Sequence, residues 1–178
     1  MKNLFLALCC GVALFACNKP KEVATPVPAE PAPPPQEEIG DPKYTEIGKK
    51  AAQQLSSGDI DGWMTNFADS AHYYWSAGDS LIGKKAIASY WKERRGKVIE
   101  SMTYLNDIWT VLKVNTPQKG DRAGIWLLSW NQVSVTYKNH QSLKFWIHTD
   151  YHFDASDKID VVVQYIDRAP INAALAKK

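Results

Sequence analysis

The chain is poor in the residues that carry most covalent and metal chemistry. Of its 178 residues three are cysteine, Cys9, Cys10 and Cys17, and none lies beyond position 17. The body of the protein therefore has no thiolate nucleophile, no disulfide and no cysteine-based zinc site, and its stability must come from a packed core. An excess of one charge is also missing: 21 Lys and Arg against 19 Asp and Glu, interspersed along the chain, give a formal +2. That balance offers neither the basic footprint of a nucleic-acid binder nor a polybasic membrane patch. Apolar runs are short. The stretch from Leu4 to Phe15 is about a dozen residues, where a bilayer-spanning helix needs about 20. Proline is nearly absent from the body, because eight of the ten prolines fall between Asn18 and Pro42. No phosphate-binding glycine loop, dinucleotide fingerprint or recognisable Ser-His-Asp context is present, so those enzyme classes are set aside and no cofactor is expected.

What is present begins with the first seventeen residues. Lys2, the short apolar run and a small residue before Cys17 have the layout of a secretory signal with its cleavage point. Leu14-Phe15-Ala16-Cys17 resembles the lipobox of bacterial lipoproteins. The resemblance implies removal of residues 1–16 and acylation of Cys17, with two or more acyl chains giving stable anchoring where one binds only marginally. It also implies a lipid-anchored place in the bacterial cell envelope. Asn18, where some bacteria use an aspartate to retain such proteins at the inner membrane, points to the outer membrane. Residues 17–42, rich in proline, read as an extended tether at about 3.1 Å per residue.

Residues 43–178 are long enough for one domain and too short for two. All seven Trp and all eight Tyr fall here. Large rings fill cores and also line pockets. Ile47, Ala51, Ala52 and Leu55 have helical spacing over Tyr44 to Leu55, ended by Ser56-Ser57-Gly58. Asp59 is placed to cap a second helix with Trp63, Met64 and Phe67 inside. Ala71 to Ser76 reads as a short strand, with a turn at Gly78-Asp79-Ser80. A third helix, Gly83 to Arg95, buries Ala86, Ile87, Tyr90 and Trp91 and turns Lys84, Lys85, Lys92, Glu93 and Arg94 to water. Four runs rich in β-formers follow: Val98 to Val114, Ala123 to Tyr137, Leu143 to Phe153 and Ile159 to Ile166. Helices followed by an antiparallel meander describe an α+β domain.

That order and several local strings carry a further resemblance. Ser57-Gly58-Asp59-Ile60-Asp61-Gly62-Trp63, Phe67-Ala68-Asp69-Ser70-Ala71, Gly83-Lys84-Lys85-Ala86-Ile87 with Tyr90-Trp91, and Tyr151-His152-Phe153 before Asp157-Lys158-Ile159 are similar to the nuclear transport factor 2-like superfamily, which includes SnoaL-like cyclases and ketosteroid isomerases. The resemblance implies a cone: three N-terminal helices in a curved antiparallel sheet, with an apolar pocket at the open end. It does not by itself name a reaction. By counting, the general base of the ketosteroid isomerases falls on Trp75, which cannot move a proton. Their acidic oxyanion donor falls near Thr149, with Asp150 one step away and so on the other face of the strand. The SnoaL-like cyclases use an aspartate near the end of the last strand, where this chain has Asp167. At the rim of an apolar cavity its carboxyl would be raised toward neutral pH and suit proton abstraction. Its structural alternative is pairing with Arg168 or Lys158, or capping a tail helix after Pro170. A binding module needs only a lining, expected from Trp63, Phe67, Trp91, Tyr104, Thr149 and Tyr151.

Alternation places Phe145, Ile147, Thr149, Tyr151 and Phe153 on the concave face, and Trp146, His148, Asp150 and His152 on the convex one, where members of this fold often dimerise. The spacing of His148, Asp150 and His152, about 7 Å between alternate residues, is loose for a single ion, so no metal site is expected. Trp126 and Trp130 share a parity, and Trp109 and Trp146 lie on neighbouring strands. In one register these rings make an exposed ridge that favours self-association; in the other they line the pocket. The functional expectation is an envelope lipoprotein binding a small apolar or aromatic ligand, with a SnoaL-like acid-base enzyme using Asp167 and a dimeric interaction scaffold as alternatives. The expected partners are the membrane, that ligand and a second copy of the chain, and not nucleic acid.

Overall fold

The computed structural model describes residues 32–177. The signal segment, Cys17 and the first part of the tether lie outside the described residues. The elements in chain order are β1 (Glu37–Ile39), α1 (Lys43–Ser57), α2 (Ile60–Met64), β2 (Phe67–Trp75), β3 (Ser80–Ile82), α3 (Lys84–Glu93), a π-helical turn (Arg94–Val98), β4 (Ile99–Val114), β5 (Gly124–Tyr137), β6 (Ser142–Phe153), β7 (Ile159–Tyr165) and α4 (Ala169–Leu175). One seven-stranded sheet runs β1-β4-β5-β6-β7-β2-β3.

α1 and α3 form where the pattern places them, whereas the second helix stops at Met64, and Phe67, expected inside it, begins β2. α1 buries Tyr44, Gly48, Ala51 and Leu55 on one stripe and stops at Gly58, whose φ of 83° few other residues adopt and whose N–H returns to the last turn. Asp59 accepts a 2.9 Å bond from the Gly62 N–H and starts α2. Lys43 and Tyr44 both donate to the Asp157 carboxylate, tying the start of α1 to the β6–β7 turn and holding that carboxyl below its usual range.

The sheet is the expected meander with three differences. β7 and β2 pair in parallel, because the chain returns from β7 to the strand that follows α2; every other pair is antiparallel. The folded unit also begins before residue 43. β1 pairs with Leu112–Val114, and the Gly40 and Asn115 N–H groups extend the contact to Val111 O and Gln36 O. Third, Ser80, expected in a turn, begins β3, which pairs with Tyr74 through His72. Both margins of the sheet are thus three-residue strands.

Register fixes which side chains meet. Ile108, Trp130, His148 and Tyr165 lie opposite one another across β4, β5, β6 and β7 on the convex face. The concave row beside them is Trp109, Ser129, Thr149, Gln164 and Trp75, reaching β2. Concave side chains of the long strands pack with Trp63, Phe67, Ile87 and Trp91 from the helical side in one buried cluster.

Candidate functional site

The concave face carries a polar seam inside an apolar core. Ser129, Asn131, Thr149 and Gln164 are all buried. Trp75 Nε1 donates to Gln164 Oε1 at 3.1 Å, Gln164 Nε2 reaches Thr149 Oγ1 at 3.4 Å, and Ser129 Oγ donates to the Thr149 carbonyl at 3.2 Å. Burial pushes the Tyr151 hydroxyl up to about 12, against an opposing pull from Thr149 and Ser129. Burial likewise raises Tyr73 and Tyr104 far above an ordinary phenol. Every member of this seam is uncharged near neutral pH, so it can orient a ligand by hydrogen bonds but holds no proton acceptor tuned to that range.

Space in the cone is divided. A deep cavity of about 60 Å³ lies among Leu55, Met102, Tyr104, Val133, Phe145 and Ile147. A mouth compartment of about 170 Å³ adjoins it, with Trp75, Tyr90, Arg168 and Asn172 in its wall. Trp91, Arg94, Gln164, Ile166 and Ile171 line both. Ile171 comes from α4, which is seated at its C-terminal end by Asn139 Nδ2, bonded to Ala174 O at 2.9 Å and Lys177 O at 2.8 Å. A dry cavity of about 150 Å³ suffices for benzene, so the mouth has room for one ring and the deep cavity has not. Neither compartment is lined by Asp, Glu or His.

Other concavities have a different character. A roomier one, about 600 Å³, is an open groove between α2, the start of β2 and α3. Three of its charged residues have partners, in Lys92–Asp61 at 2.6 Å and Lys84–Asp69 at 3.9 Å. On the convex face Trp130 stacks on His148 with centroids 4.4 Å apart, and Trp126 meets His152 at 4.9 Å. His148 Nε2 lies 2.8 Å from Asp150 Oδ1, whereas His152 Nδ1 lies 2.6 Å from Asp160 Oδ1 and its Nε2 3.0 Å from Ala123 O. Burial raises the Asp150 carboxyl, against the opposing pull of His148. The two histidines turn to different carboxylates, and among the described residues no cluster of three metal-ligating side chains occurs.

No protein-family model matches the chain, and no curated protein matches it. Solved structures do. A candidate polyketide cyclase from Xanthomonas campestris superposes with a TM-score of 0.59 at 14% identity, covering 74% of this chain and 96% of its own. A nuclear transport factor 2-like protein of unknown function from Burkholderia pseudomallei gives 0.60 at 12% identity, covering 74% and 96%. A candidate isomerase from Bacillus subtilis gives 0.58 at 15%, covering 76% and 94%. The chain has the nuclear transport factor 2-like cone fold.

Within that fold the expected site residues separate. Trp91 and Tyr104 line the deep cavity, and Thr149 and Tyr151 belong to the seam behind it. Trp63 and Phe67, 2% and 1% exposed, are packing residues rather than lining ones. Asp167 is not at the rim of the cavity. β7 ends at Tyr165, and the exposed Asp167 carboxylate instead accepts from the Ala169 N–H at 2.9 Å at the start of α4, the capping role weighed against a catalytic one. His72 and Tyr74 bond to each other at 2.8 Å, on the face opposite Tyr73 and Trp75, and do not converge on the cone. Trp126, Trp130 and Trp146 share the convex face, but Trp109 lies on the concave one, opposite Ser129 and against Gly48. Arg94, expected in water, stands in the cone wall instead. It keeps α geometry three residues after Trp91 and seven after Ile87, so it continues their inward stripe, and the π turn begins there.

Proposed function

We propose that the protein is a lipid-anchored envelope protein whose cone binds a small apolar or aromatic molecule at its mouth. The observation that carries the binding reading is the mouth itself: three aromatic rings, Trp75, Tyr90 and Trp91, around a ring-sized space with hydrogen-bonding groups and no carboxylate or imidazole in its wall. Binding asks only for such a lining, whereas isomerisation or cyclisation asks for a proton acceptor beside it. The proteins of similar fold described as a cyclase and an isomerase support a SnoaL-like enzyme as the second reading. That reading favours a catalytic group other than Asp167, whose carboxylate bonds to the Ala169 N–H and is not in the lining of either compartment.

Native mass spectrometry of the full-length protein, purified from its own membranes in mild detergent, tests the first reading. A small molecule is expected to travel with the wild-type chain and to be lost from Ile171→Trp, whose larger ring occupies the mouth. A chain that arrives empty and is not stabilised by any single-ring compound in a thermal-shift panel would remove the ligand and leave the scaffold reading. The same spectra are expected to contain a dimer, because the exposed Ile108, Trp130 and Tyr165 together with Trp146 form an apolar convex face that favours a second copy. The anchor rests on the lipobox-like string alone. Cys17→Ser is expected to move the protein from the membrane fraction to the soluble fraction, and retention at the membrane would contradict it.

A further inference from the structure

Two arginines stand at the mouth, and they differ in what holds them. Arg168 donates from both terminal amino groups to Asp79 Oδ2, at 3.0 and 3.1 Å, while its guanidinium lies 5.1 Å from the Trp75 ring centroid. Its charge is answered. Arg94 lies 5.7 Å from the Tyr90 ring centroid and lines both compartments, and it has no carboxylate partner among the described residues. Its field reaches into the cone: burial pushes the Tyr137 hydroxyl up, and Arg94 pulls it back.

A second donor lies beside it. Trp91, 8% exposed, also lines both compartments, and its indole N–H is buried without an acceptor. The obvious acceptor nearby is taken, since Gln164 Oε1 already receives the Trp75 indole N–H. The mouth is therefore rich in free donors and has no anion of its own. A buried donor left unpaired is costly, and a cation at the wall with no carboxylate partner leaves its charge unanswered. A ligand that brings a negative charge relieves both at once, through charge-assisted bonds stronger than those any neutral ligand makes.

We infer that the ligand of this site is a small aromatic carboxylate, its single ring lying against Trp75, Tyr90 and Trp91 and its carboxylate accepting from Arg94 and the Trp91 indole N–H. The inference rests on the reading of the cone mouth as a ligand site and adds the charge of the occupant. Size supports it, because a compartment of about 170 Å³ admits one ring and a short acid arm.

Phenylacetate and phenylacetamide, nearly equal in shape and different in charge, are the probes. Titration calorimetry with the full-length protein in detergent is expected to show phenylacetate binding about tenfold or more tighter than the amide, with the preference shrinking as salt is raised. Arg94→Gln should bring the two affinities together, whereas Arg94→Lys, which keeps the charge, should retain part of the preference. Should the Gln variant not fold, the wild-type ratio and its salt dependence decide alone. Equal affinities in the wild type would overturn the carboxylate inference and leave the mouth as an apolar site. An acid preference that survives intact in a folded Arg94→Gln would overturn the role of Arg94. Binding of neither probe, in a protein that also carries no native ligand, would overturn the ligand-site reading and the inference with it.

Discussion

Truncating Trp63 to alanine is expected to lower the unfolding free energy by about 3–5 kcal/mol. Trp63 is 2% exposed and meets two rings edge-on, Phe67 at 4.7 Å and Trp91 at 5.7 Å. It sits on α2, whose five residues are too few to hold a helix without packing. The loss combines the burial of a large ring, a cavity that its neighbours only partly fill, and edge contacts worth about 0.5–1.5 kcal/mol each. Domains of this size are stable by about 5–15 kcal/mol, so the variant should melt far earlier or fail to accumulate. Urea unfolding followed by far-ultraviolet circular dichroism checks this without relying on tryptophan emission. A loss below about 1 kcal/mol would mean that the ring fills little, and would return Trp63 from the core to a ligand lining.

Gly48→Ala carries the second large effect, and its sign is decided by two opposed terms. Helix propensity alone favours alanine over glycine by about 1 kcal/mol. On α1, however, the added methyl points at the sheet, where it would meet Leu127 Cδ2 within contact distance and Trp109 Cζ3 at 2.8 Å. Leu127 is fully buried and cannot swing into solvent. Overpacking of this kind costs about 1–3 kcal/mol, so a net loss of about 1–2 kcal/mol is expected in place of the gain that propensity predicts. A thermal melt above that of the wild type would show that α1 lifts off the sheet at little cost.

Much of the fold was legible because the long strands carry their own register. Phe145, Ile147, Thr149, Tyr151 and Phe153 alternate with Trp146, His148, Asp150 and His152, and β6 turns these sets to opposite faces as the alternation requires. β1 was not legible: Glu37-Glu38-Ile39 has no pattern, and only backbone bonds to a strand far along the chain make it a strand. β7 hides its facing for another reason, since Val161, Val162 and Val163 are apolar in succession, and Gln164 could not be assigned to the cone from them.

The site was legible only in part. Of its three rings only Trp91 was expected in a lining; Tyr90 reads as a buried ring of α3, and Trp75 stands on a strand, where no helical stripe points to it. Its charge was not legible. Arg94 follows Lys92 and Glu93 and its charge reads as solvated, although it stands three residues after Trp91 and seven after Ile87, on the stripe that faces the cone. Asp167 failed for the opposite reason: a count along the strand located the carboxylate but not the point where β7 stops and the chain turns outward. Ile171 lay in a tail whose burial depends on where Asn139 holds it.

The short margins of the sheet bear on crowding. Lipid anchors concentrate proteins in two dimensions, where edge-to-edge strand addition would otherwise lead to fibres. At one side an incoming strand finds Ser80–Ile82, and at the other Glu37–Ile39 with its pair of acids covers Leu112–Val114, the last three of the 16 residues of β4. Beyond β1 the outer strand β4 is broken by register shifts near Ser101 and Asn106, and it carries exposed Glu100 and Asp107. The short strands at both margins, and the charge and broken register along the open part of β4, give a neighbour few backbone groups in step to template on, so at the local density that the proposed lipid anchor would create the molecules should stay side by side and unpolymerised.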